Sequence, residues 1–444
     1  MGRISNLSVD EALAQARERY AAMNPTSLAE NLRAQAVLPG GSTRSVLHFD
    51  PFPLTMAKGV DAELFDVDGH RYIDFVGEYS AGLFGHSNSI IKQAIQEALD
   101  FGTVMASPTR LEADLAAAVT ARFPSMELMR FCNSGTEANL MALVTAIAFT
   151  GRRKILAFRE AYHGGVLVFS GGGSPINVPF DFLLADYNDV EGAMDAIRRH
   201  ANDLAAVIVE PILGAGGNIP GTPGFLNALR EESARVGAVL IFDEVKTSRC
   251  GAGGLQGRLN IRPDLTTLGK YIGGGLPAGA FGGRKDIMSR YDHRSPSPLK
   301  HAGTFNNNVC TMMAGLAGLT KIFTPARTEA FAETCERFRE SLNRDMAERQ
   351  VPIRFTGLGS LIAVHFAEGP ITTPKDIPPI SKKLSQLFHM ECLLRSVLVA
   401  ARGDIFISLP VTAAQLEILR RAINDFVDDF RPLMERELER AELT

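Results

Sequence analysis

Leu240-Ile-Phe-Asp-Glu-Val245 and Thr267-Leu-Gly-Lys-Tyr-Ile-Gly-Gly-Gly275 carry most of the information about how this chain folds. The first is a short apolar run that ends in acids, which is typical of a buried strand with a polar carboxyl end. The second follows another apolar run and places Lys270 in glycine-rich backbone. Ligands of parallel sheets bind where the strands end. We therefore expect Asp243 and Lys270 to share one site.

The chemistry of these two side chains suggests a cofactor. A lysine amine can form an imine with an aldehyde, and an aspartate can keep a pyridinium nitrogen protonated. These are the two protein groups that pyridoxal 5′-phosphate chemistry needs most. Each is weak evidence alone, because many strands end in acids and a lysine beside glycines is more often a solvated loop residue. The interpretation therefore depends on the surrounding motifs.

Helical patterns alternate with short apolar runs between about residues 88 and 325. Strands are expected at 128–132, 154–159, 205–210, 239–243, 265–268 and 279–283, and helices at 88–101, 109–122 and 136–150. Ala206-Val-Ile-Val-Glu210 is apolar up to its last residue, which suits a strand covered on both faces. The alternation predicts an α/β fold with a mainly parallel sheet.

The two ends of the chain have a different pattern. Helices are expected at 8–22 and 26–36, the first opened by a capping box in Ser8-Val-Asp-Glu11, with short strands at 54–58, 62–67 and 70–75. A charged helix from 326, strands near 352–366 and helices near 378–390 and 413–440 follow the central region. We predict an N-terminal segment (1–75) that joins a C-terminal small α+β domain (326–444), with a large domain between them (76–325).

Composition excludes several classes of partner. The 444 residues are 45% hydrophobic and 22% charged, and the net charge of −4 provides no basic field for nucleic acid. No apolar run reaches the roughly 18 residues of a membrane span, and the N-terminus lacks a signal-peptide pattern. The five cysteines are scattered without a CxxC pair, which favours reduced thiols and no metal site. We expect a cytoplasmic protein.

A phosphate site is suggested by Asn133-Ser-Gly-Thr-Glu-Ala-Asn139, which lies between a strand and a helix. Ser134, Gly135 and Thr136 would present hydroxyl and backbone N–H groups at a helix N-terminus, where phosphate binds well. The alternative is a helix cap without a ligand.

Two further motifs follow predicted strands. In Ala161-Tyr-His-Gly-Gly165, Tyr162 can stack on a flat ring that the glycines allow to approach. The alternative is a packed tyrosine and a satisfied histidine before a flexible loop. Glu210 ends the next strand, and its alternative is a solvated carboxylate.

Taken in order, these motifs resemble those of the class III aminotransferases, which have pyridoxal-phosphate fold type I. The matching pieces are Asn-Ser-Gly-Thr-Glu-Ala, Tyr-His-Gly, Glu-Pro, Phe-Asp-Glu-Val and Thr-Leu-Gly-Lys, with Gly303-Thr-Phe-Asn-Asn307 as a further piece. The resemblance covers about residues 36–430. Each motif is modest by itself, and their common order makes the resemblance specific.

The resemblance implies catalytic roles for two residues and a clamp for the cofactor ring. Lys270 would hold the cofactor as an imine and then move a proton. Asp243 would pair with the pyridine nitrogen. Val245 would pack on one face of the ring and Tyr162 on the other.

The resemblance also implies phosphate contacts and a shared site. Further residues expected at the cofactor are Ser134, Gly135 and Thr136 at its phosphate, with His163 and Glu210 close by. Thr304 would reach the phosphate of the neighbouring subunit, which requires a homodimer with shared active sites. Glu210 would position the region around Asp243.

Two arginines suggest how substrates are recognised, because an arginine fork matches a carboxylate. Arg44 lies in Pro39-Gly-Gly-Ser-Thr-Arg-Ser-Val46, and Arg402 lies in Ala400-Ala-Arg-Gly-Asp404. The first stretch, with Val178-Pro-Phe-Asp-Phe182, looks closer to the aromatic β-amino acid aminotransferases than to the glutamate-1-semialdehyde aminomutases.

The expected reaction is amino transfer from a β-amino acid such as β-phenylalanine to a keto acid, either 2-oxoglutarate or pyruvate. The alternatives are a glutamate-1-semialdehyde aminomutase and another ω-amino acid or amine aminotransferase. A protein that binds the cofactor for a structural or regulatory purpose also stays open. Conversion of an amine and a keto acid into new products would distinguish an enzyme from that last class.

Overall fold

The computed structural model describes residues 7–442. Its helices are α1 (Val9–Met23), α2 (Pro25–Gln35), α3 (Ser89–Phe101), α4 (Arg110–Arg122), α5 (Gly135–Thr150), α6 (Val190–Arg199), α7 (Pro223–Val236), α8 (Gly254–Leu259), α9 (Lys285–Met288), α10 (Val309–Ala317), α11 (Pro325–Glu348), α12 (Ile380–Leu394) and α13 (Ala413–Glu442). Its strands are β1 (Met56–Val60), β2 (Glu63–Asp66), β3 (Arg71–Asp74), β4 (Leu128–Cys132), β5 (Lys154–Phe158), β6 (Asp181–Ala185), β7 (Leu204–Val209), β8 (Ile212–Leu213), β9 (Ile219–Pro220), β10 (Val239–Asp243), β11 (Leu265–Gly269), β12 (Gly279–Gly283), β13 (Ile353–Leu358), β14 (Leu361–Phe366), β15 (Val397–Leu398) and β16 (Asp404–Phe406).

A seven-stranded sheet in the order β4-β12-β11-β10-β7-β5-β6 forms the centre of the large unit. Strands β11, β10, β7, β5 and β6 run parallel, whereas β12 is antiparallel to both of its neighbours. Every residue of β7 and β10 is buried, as their apolar sequences predict. The predicted α/β class with a mainly parallel sheet is confirmed.

Two features of this sheet were not anticipated. Strand β6 was not predicted, and it lies at the sheet edge with four of its five residues only partly buried or exposed before the buried Ala185. The direction of β12 was also open from sequence. The connection 270–278 is shorter than the dozen or so residues that a parallel crossover needs, so β12 returns antiparallel.

The two ends of the chain meet in one buried core. Leu13 and Tyr20 of α1 belong to the same apolar cluster as Leu387 of α12 and Phe426 of α13. The capping box of α1 is present, with Ser8 N donating to Glu11 Oε2 at 2.7 Å. We therefore propose domain boundaries near residues 75 and 325; residues 1–6 and 443–444 of the outer ranges lie outside the described residues.

The same core is completed by two small sheets. Strands β1, β2, β3 and β15 form one, in which β15 pairs with β3 in parallel and so joins the two chain ends. Strands β13, β14 and β16 form the other. Strand β16 follows Arg402, so this sheet brings the predicted arginine toward the large unit.

All five cysteines are free, and Cys310 is less buried than the other four. Among residues 7–442, no single helix is both long enough and apolar enough to span a membrane. The bent helix pair Val309–Ile322 and Pro325–Glu348 meets these two criteria when its helices are taken together, by length and composition only.

Candidate active site

A cavity of about 290 Å³ lies at the carboxyl edge of the central sheet. Ten of the predicted residues line it: Arg44, Gly135, Thr136, Tyr162, His163, Glu210, Asp243, Val245, Lys270 and Arg402. Strand β10 pairs in parallel with β11, with Asp243 opposite Thr267, so both strands end at this edge. The strand-end argument therefore predicts the location of the cavity correctly.

Lys270 begins the tight turn that follows β11. Its φ of 57° is left-handed, a conformation that is uncommon outside glycine and that directs the side chain into the cavity rather than along the strand. Its Nζ donates to the carbonyl oxygen of Tyr79 at 2.7 Å. Burial, and then the nearby charge of Lys246, lower the pKa of Lys270 from 10.5 to about 7. A lysine with this pKa is partly neutral at physiological pH and can act as a nucleophile or a base.

Asp243 is held by three donors. Its Oδ2 accepts from Asn139 Nδ2 at 2.8 Å and lies 2.8 Å from His163 Nδ1, and its Oδ1 accepts from the backbone of Val245 at 3.0 Å. Asn139 is itself fixed, because its Oδ1 accepts from Thr267 Oγ1 at 2.6 Å. The carboxylate therefore has one orientation in a buried setting, which suits a partner for a cationic ring nitrogen.

The N-terminus of α5, the predicted anion cradle, lies beside this pair. Ser134 caps the helix through a hydrogen bond from Glu137 N to its Oγ at 3.1 Å. The first intrahelical bond runs from Ala138 N to Ser134 O, which leaves the N–H groups of Gly135 and Thr136 without an intrahelical acceptor. The helix cap is therefore present, and the phosphate site stays a prediction, because its N–H groups are not the atoms that form the cap.

Close backbone contacts shape the same cradle. A Cβ on Gly135 would lie 2.8 Å from Val245 Cγ1. A Cβ on Gly164, whose φ is +130°, would lie 2.4 Å from Thr136 Oγ1. The loop after Tyr162 thus packs on the first turn of α5 at a distance that only glycine allows.

Tyr162 stands at the mouth of the cavity, 47% exposed. Its backbone N–H donates to Glu210 Oε2 at 3.0 Å, while Glu210 Oε1 accepts from Gly214 N at 3.1 Å. Burial raises the pKa of Glu210. Glu210 therefore positions the Tyr162 loop directly, and it is linked to the surroundings of Asp243 through the adjacent His163.

One aromatic ring lies beneath both predicted arginines. The guanidinium carbons of Arg44 and Arg402 lie 5.9 Å and 5.5 Å from the centroid of Tyr79. The Arg44 guanidinium also pairs with Glu78, and Arg402 Nε pairs with Asp404. The structure therefore brings the two arginines to one wall of the cavity.

Tyr79 lies within a left-handed turn of four residues. Gly77, Glu78, Tyr79 and Ser80 have φ values of 48°, 52°, 52° and 74°. This conformation costs a residue other than glycine about 1–2 kcal/mol. Buried bonds offset the cost, because Arg249 Nη1 donates to the Ser80 carbonyl at 3.0 Å. Strain that persists in this way is concentrated at functional sites.

Sequence reasoning missed several residues of the cavity. Tyr79, Lys246 and Asn139 line it without having been assigned a role. Asn139 stood in the quoted phosphate motif, and Lys246 directly follows Val245, so their positions were available signals. Thr304 lies outside the cavity of its own chain, on an exposed loop before α10, and its predicted reach to a partner subunit stays a prediction.

Two larger cavities adjoin this one. A cavity of about 730 Å³ behind Arg402 shares Gly214 and Ala215 with it, and another of about 590 Å³ shares Val46 and Tyr79. Neither contains Lys270 or Asp243, so size does not identify the reactive centre. The second cavity is lined mostly by apolar side chains from the N-terminal segment and the 398–401 region.

The residues around this cavity are chemically suited to bind pyridoxal phosphate. It combines a lysine with a lowered pKa, a fixed aspartate and an anion cradle that a Cβ would fill. His163 Nε2 is buried with no hydrogen-bond partner among residues 7–442. These are the groups that the aldehyde, ring nitrogen and phosphate of that cofactor need.

Comparison with known proteins identifies the class of enzyme. Residues 46–394 match the family Aminotransferase class-III, and the chain belongs to that family. It is therefore a transaminase of fold type I whose cofactor is pyridoxal 5′-phosphate.

Individual proteins illustrate which members of this family the chain is similar to. The chain is 48% identical to the beta-phenylalanine transaminase of Variovorax paradoxus, over 98% of this chain and 100% of that protein. The crystal structure of a beta-phenylalanine aminotransferase from Variovorax paradoxus matches with a TM-score of 0.94 at 49% identity, over 96% of this chain and 99% of that one. A glutamate-1-semialdehyde 2,1-aminomutase of Desulforudis audaxviator is 38% identical, over 76% of this chain and 82% of that protein.

Proposed function

We propose that this transaminase moves the amino group of an aromatic β-amino acid, such as β-phenylalanine, to 2-oxoglutarate or pyruvate. The observation that carries the proposal is the pair of arginines over Tyr79, next to an apolar cavity of about 590 Å³ that shares this tyrosine. Arginine suits the carboxylates of both substrates, and the apolar cavity suits an aromatic ring. The name of the relative from Variovorax paradoxus supports the same donor.

In this proposal, the chain holds the cofactor at its phosphate, its ring nitrogen, its aldehyde carbon and both faces of its ring. Bound pyridoxal phosphate supplies an electron sink that makes the C–H bond beside the substrate nitrogen acidic. We assign the phosphate to Ser134, Gly135 and Thr136, the ring nitrogen to Asp243 and the aldehyde carbon to Lys270. The ring faces are assigned to Val245 and Tyr162, with His163 and Glu210 supporting Asp243 and Tyr162 from behind.

Lys270 is also the proposed base. Its Nζ takes the proton from the amine-bearing carbon of the substrate, for which a pKa near 7 is well matched to neutral pH. Asn139 and His163 keep Asp243 from rotating away, and the left-handed backbone of Lys270 keeps the amine over the cavity. These contacts position the reacting groups before the substrate arrives.

The proposed assembly is a homodimer with shared active sites, and the proposed compartment is the cytoplasm. Thr304 supports the first proposal, since it stands on an exposed loop away from the cavity of its own chain. Phe305 beside it is 61% exposed, which suits a covered position between subunits.

Product analysis tests the reaction. Purified holoenzyme is incubated with β-phenylalanine, with and without 2-oxoglutarate or pyruvate. We expect glutamate or alanine to accumulate over many turnovers only when the keto acid is supplied, because the amine needs an acceptor. Isomerisation of glutamate-1-semialdehyde, with no transfer from β-phenylalanine, would instead identify an aminomutase.

A further inference from the structure

Arg44, the proposed receptor for a substrate carboxylate, already pairs with a carboxylate of its own chain. Its guanidinium contacts the carboxylate of Glu78. The two side chains are 44% and 55% exposed, respectively. Ion pairs with this exposure are weak, because water competes for both charges. The carboxylate of Glu78 can therefore be displaced by another carboxylate that enters the cavity.

The backbone that presents Glu78 is fixed although its side chain is free to move. Glu78 lies within the left-handed turn Gly77–Ser80. Tyr79 Oη donates to the carbonyl of Val46 at 2.7 Å, which fastens this turn to the loop that carries Arg44. The turn thus holds Glu78 within reach of Arg44 in every empty site, and only the side chain has to move when a ligand binds.

Arg402 has a different kind of partner. Asp404 is 2% exposed, and its Oδ1 accepts from Asn218 Nδ2 at 2.6 Å while its Oδ2 accepts from Arg402. Removing a buried carboxylate from its donors leaves charges uncompensated, which is costly. Arg402 therefore keeps Asp404 as its partner, whereas Arg44 can exchange Glu78 for another carboxylate.

We propose that Glu78 is a specificity-determining residue, which occupies Arg44 in the empty site and competes with the substrate carboxylate for it. A substrate with a carboxylate must displace Glu78. A ligand without one leaves the pair in place, so that Arg44 presents no unpaired charge to it. The inference rests on the proposed function, because it takes Arg44 as the carboxylate receptor.

Binding of two matched ligands tests the competition. 3-Phenylpropanoate carries the carboxylate and the aromatic ring without the reactive amine, and 3-phenylpropanamide is its uncharged counterpart. Calorimetric titration of the Glu78→Gln holoenzyme at low salt should give a Kd for 3-phenylpropanoate about two- to fivefold lower than that of the parent enzyme, the range set by an exposed ion pair. The Kd of the amide should not change. An equal or higher Kd for 3-phenylpropanoate would overturn the proposal.

Two further variants control for general effects. Glu333→Gln removes a carboxylate from a more exposed pair with Arg337 on α11, and it should leave both Kd values unchanged. Glu78→Asp keeps the charge but shortens its reach, and it should give a gain smaller than that of Glu78→Gln. A gain in Glu333→Gln as large as that in Glu78→Gln would indicate a change in overall charge and would overturn the role of Glu78.

An Arg44 variant separates this inference from the proposed function. Arg44→Met should weaken binding of 3-phenylpropanoate, and Glu78→Gln should then add nothing in that background. Unchanged binding in Arg44→Met would remove Arg44 as the carboxylate receptor, and both the inference and that part of the proposed function would fail. Weaker binding in Arg44→Met, together with no gain in Glu78→Gln, would reject the competition alone.

Discussion

Two lysines line the same cavity, and their surroundings separate them. Lys246 donates to Asn218 Oδ1 and lies over the ring of Phe406, 4.6 Å from its centroid. Lys270 reaches the carbonyl of Tyr79 beside the proposed substrate wall. Lys270 directly follows β11, whose Thr267 lies opposite Asp243 in the parallel register, whereas Lys246 comes three residues after Asp243 itself, beyond the end of β10.

Covalent labelling distinguishes the two amines. Borohydride reduction of the holoenzyme, followed by peptide mapping, should place the cofactor on Lys270, because Lys246 is engaged with Asn218. Lys246→Met should retain the label, and Lys270→Ala should lose it together with turnover. Label recovered on Lys246 in the unaltered enzyme would contradict the assignment.

The protonation of Lys270 should change within the neutral pH range. Its pKa is lowered to about 7 by burial and then by Lys246, so the amine loses its proton as the pH rises through about 7 rather than through 10.5. At pH 8, about ten amines in eleven are neutral, because one pH unit is a tenfold ratio. Competitive acetylation of the apoprotein, read by mass spectrometry, should therefore reach half its maximal rate at Lys270 near pH 7.

Lys246→Met provides the control for that measurement. Removing the neighbouring charge should move the midpoint of Lys270 to higher pH, since a like charge disfavours the protonated amine. The exposed Lys382 serves as the reference amine in both proteins. A midpoint near 10 for Lys270 in the unaltered protein would show that burial does not perturb it.

Individual residues could be anticipated where a strand end or a helix start locates them. Asp243 and Lys270 follow from short apolar runs, and Gly135 and Thr136 follow from a strand-to-helix junction. Tyr79 could not be found in this way, because a left-handed turn with only Gly77 as its sequence signal directs it into the site. Lys246 was missed because the expected contact with the cofactor ring was assigned to its neighbour Val245.

At the scale of elements, the first turn of α5 and the loop after Tyr162 act together. Gly164 lies against Thr136, and the N–H of Gly165 donates to Thr136 Oγ1 at 3.1 Å. This contact holds the loop over the anion cradle. Its loss should therefore affect the cofactor more than the fold.

Gly164→Ala tests the contact. The added Cβ would lie 2.4 Å from Thr136 Oγ1 in a backbone conformation that alanine disfavours, so the loop must move. We expect the Kd for pyridoxal phosphate to rise by about tenfold or more, since about 1.4 kcal/mol of lost contact already gives tenfold. Absorbance titration of the apoprotein measures this affinity.

Gly165→Ala is a matched control next in sequence. Its Cβ would meet no atom within 4 Å, and its φ lies outside the left-handed region. Its affinity for the cofactor should stay close to that of the unaltered protein. Equal affinities in the Gly164→Ala and Gly165→Ala proteins would mean that the close contact does not shape the cradle.

The elements themselves were largely predictable, and the exceptions have physical causes. Continuous apolar runs located the buried strands β7 and β10, because both faces of each strand are covered. The edge strand β6 lacks that signal, since exposed positions permit polar and apolar residues alike. The pairing direction of β12 depends on the length of the connection 270–278 and on neighbours far away in sequence.

At the scale of the whole molecule, we expect two chains to assemble as a homodimer. Several large apolar side chains are strongly exposed in the single chain, among them Val37, Val104, Ile176 and Phe305. Where such side chains form a contiguous patch, they mark a protein interface. The loop with Thr304 would then complete the phosphate site of the second subunit.

Hybrid dimers test the sharing of sites. Lys270→Ala and Thr304→Asp subunits, each inactive or severely impaired alone, are mixed and allowed to exchange. If Thr304 serves the partner's cofactor, one site of the hybrid pairs an intact Lys270 with an intact Thr304 and the other site has both defects. Activity should therefore rise above that of either parent. Mixing without any recovery, while native mass spectrometry detects the hybrid dimer, would contradict a shared site.

The core that joins both ends of the chain also sets the order of events during synthesis. Leu13 and Tyr20 are buried with Leu387 and Phe426, which leave the ribosome hundreds of residues later. At common elongation rates of about 5–20 residues per second, that interval is on the order of tens of seconds. During this interval, the apolar face of helix α1 lacks its partners from α12 and α13, because the central sheet is still being synthesised. We expect the nascent helix to be bound by chaperones that recognise exposed apolar segments.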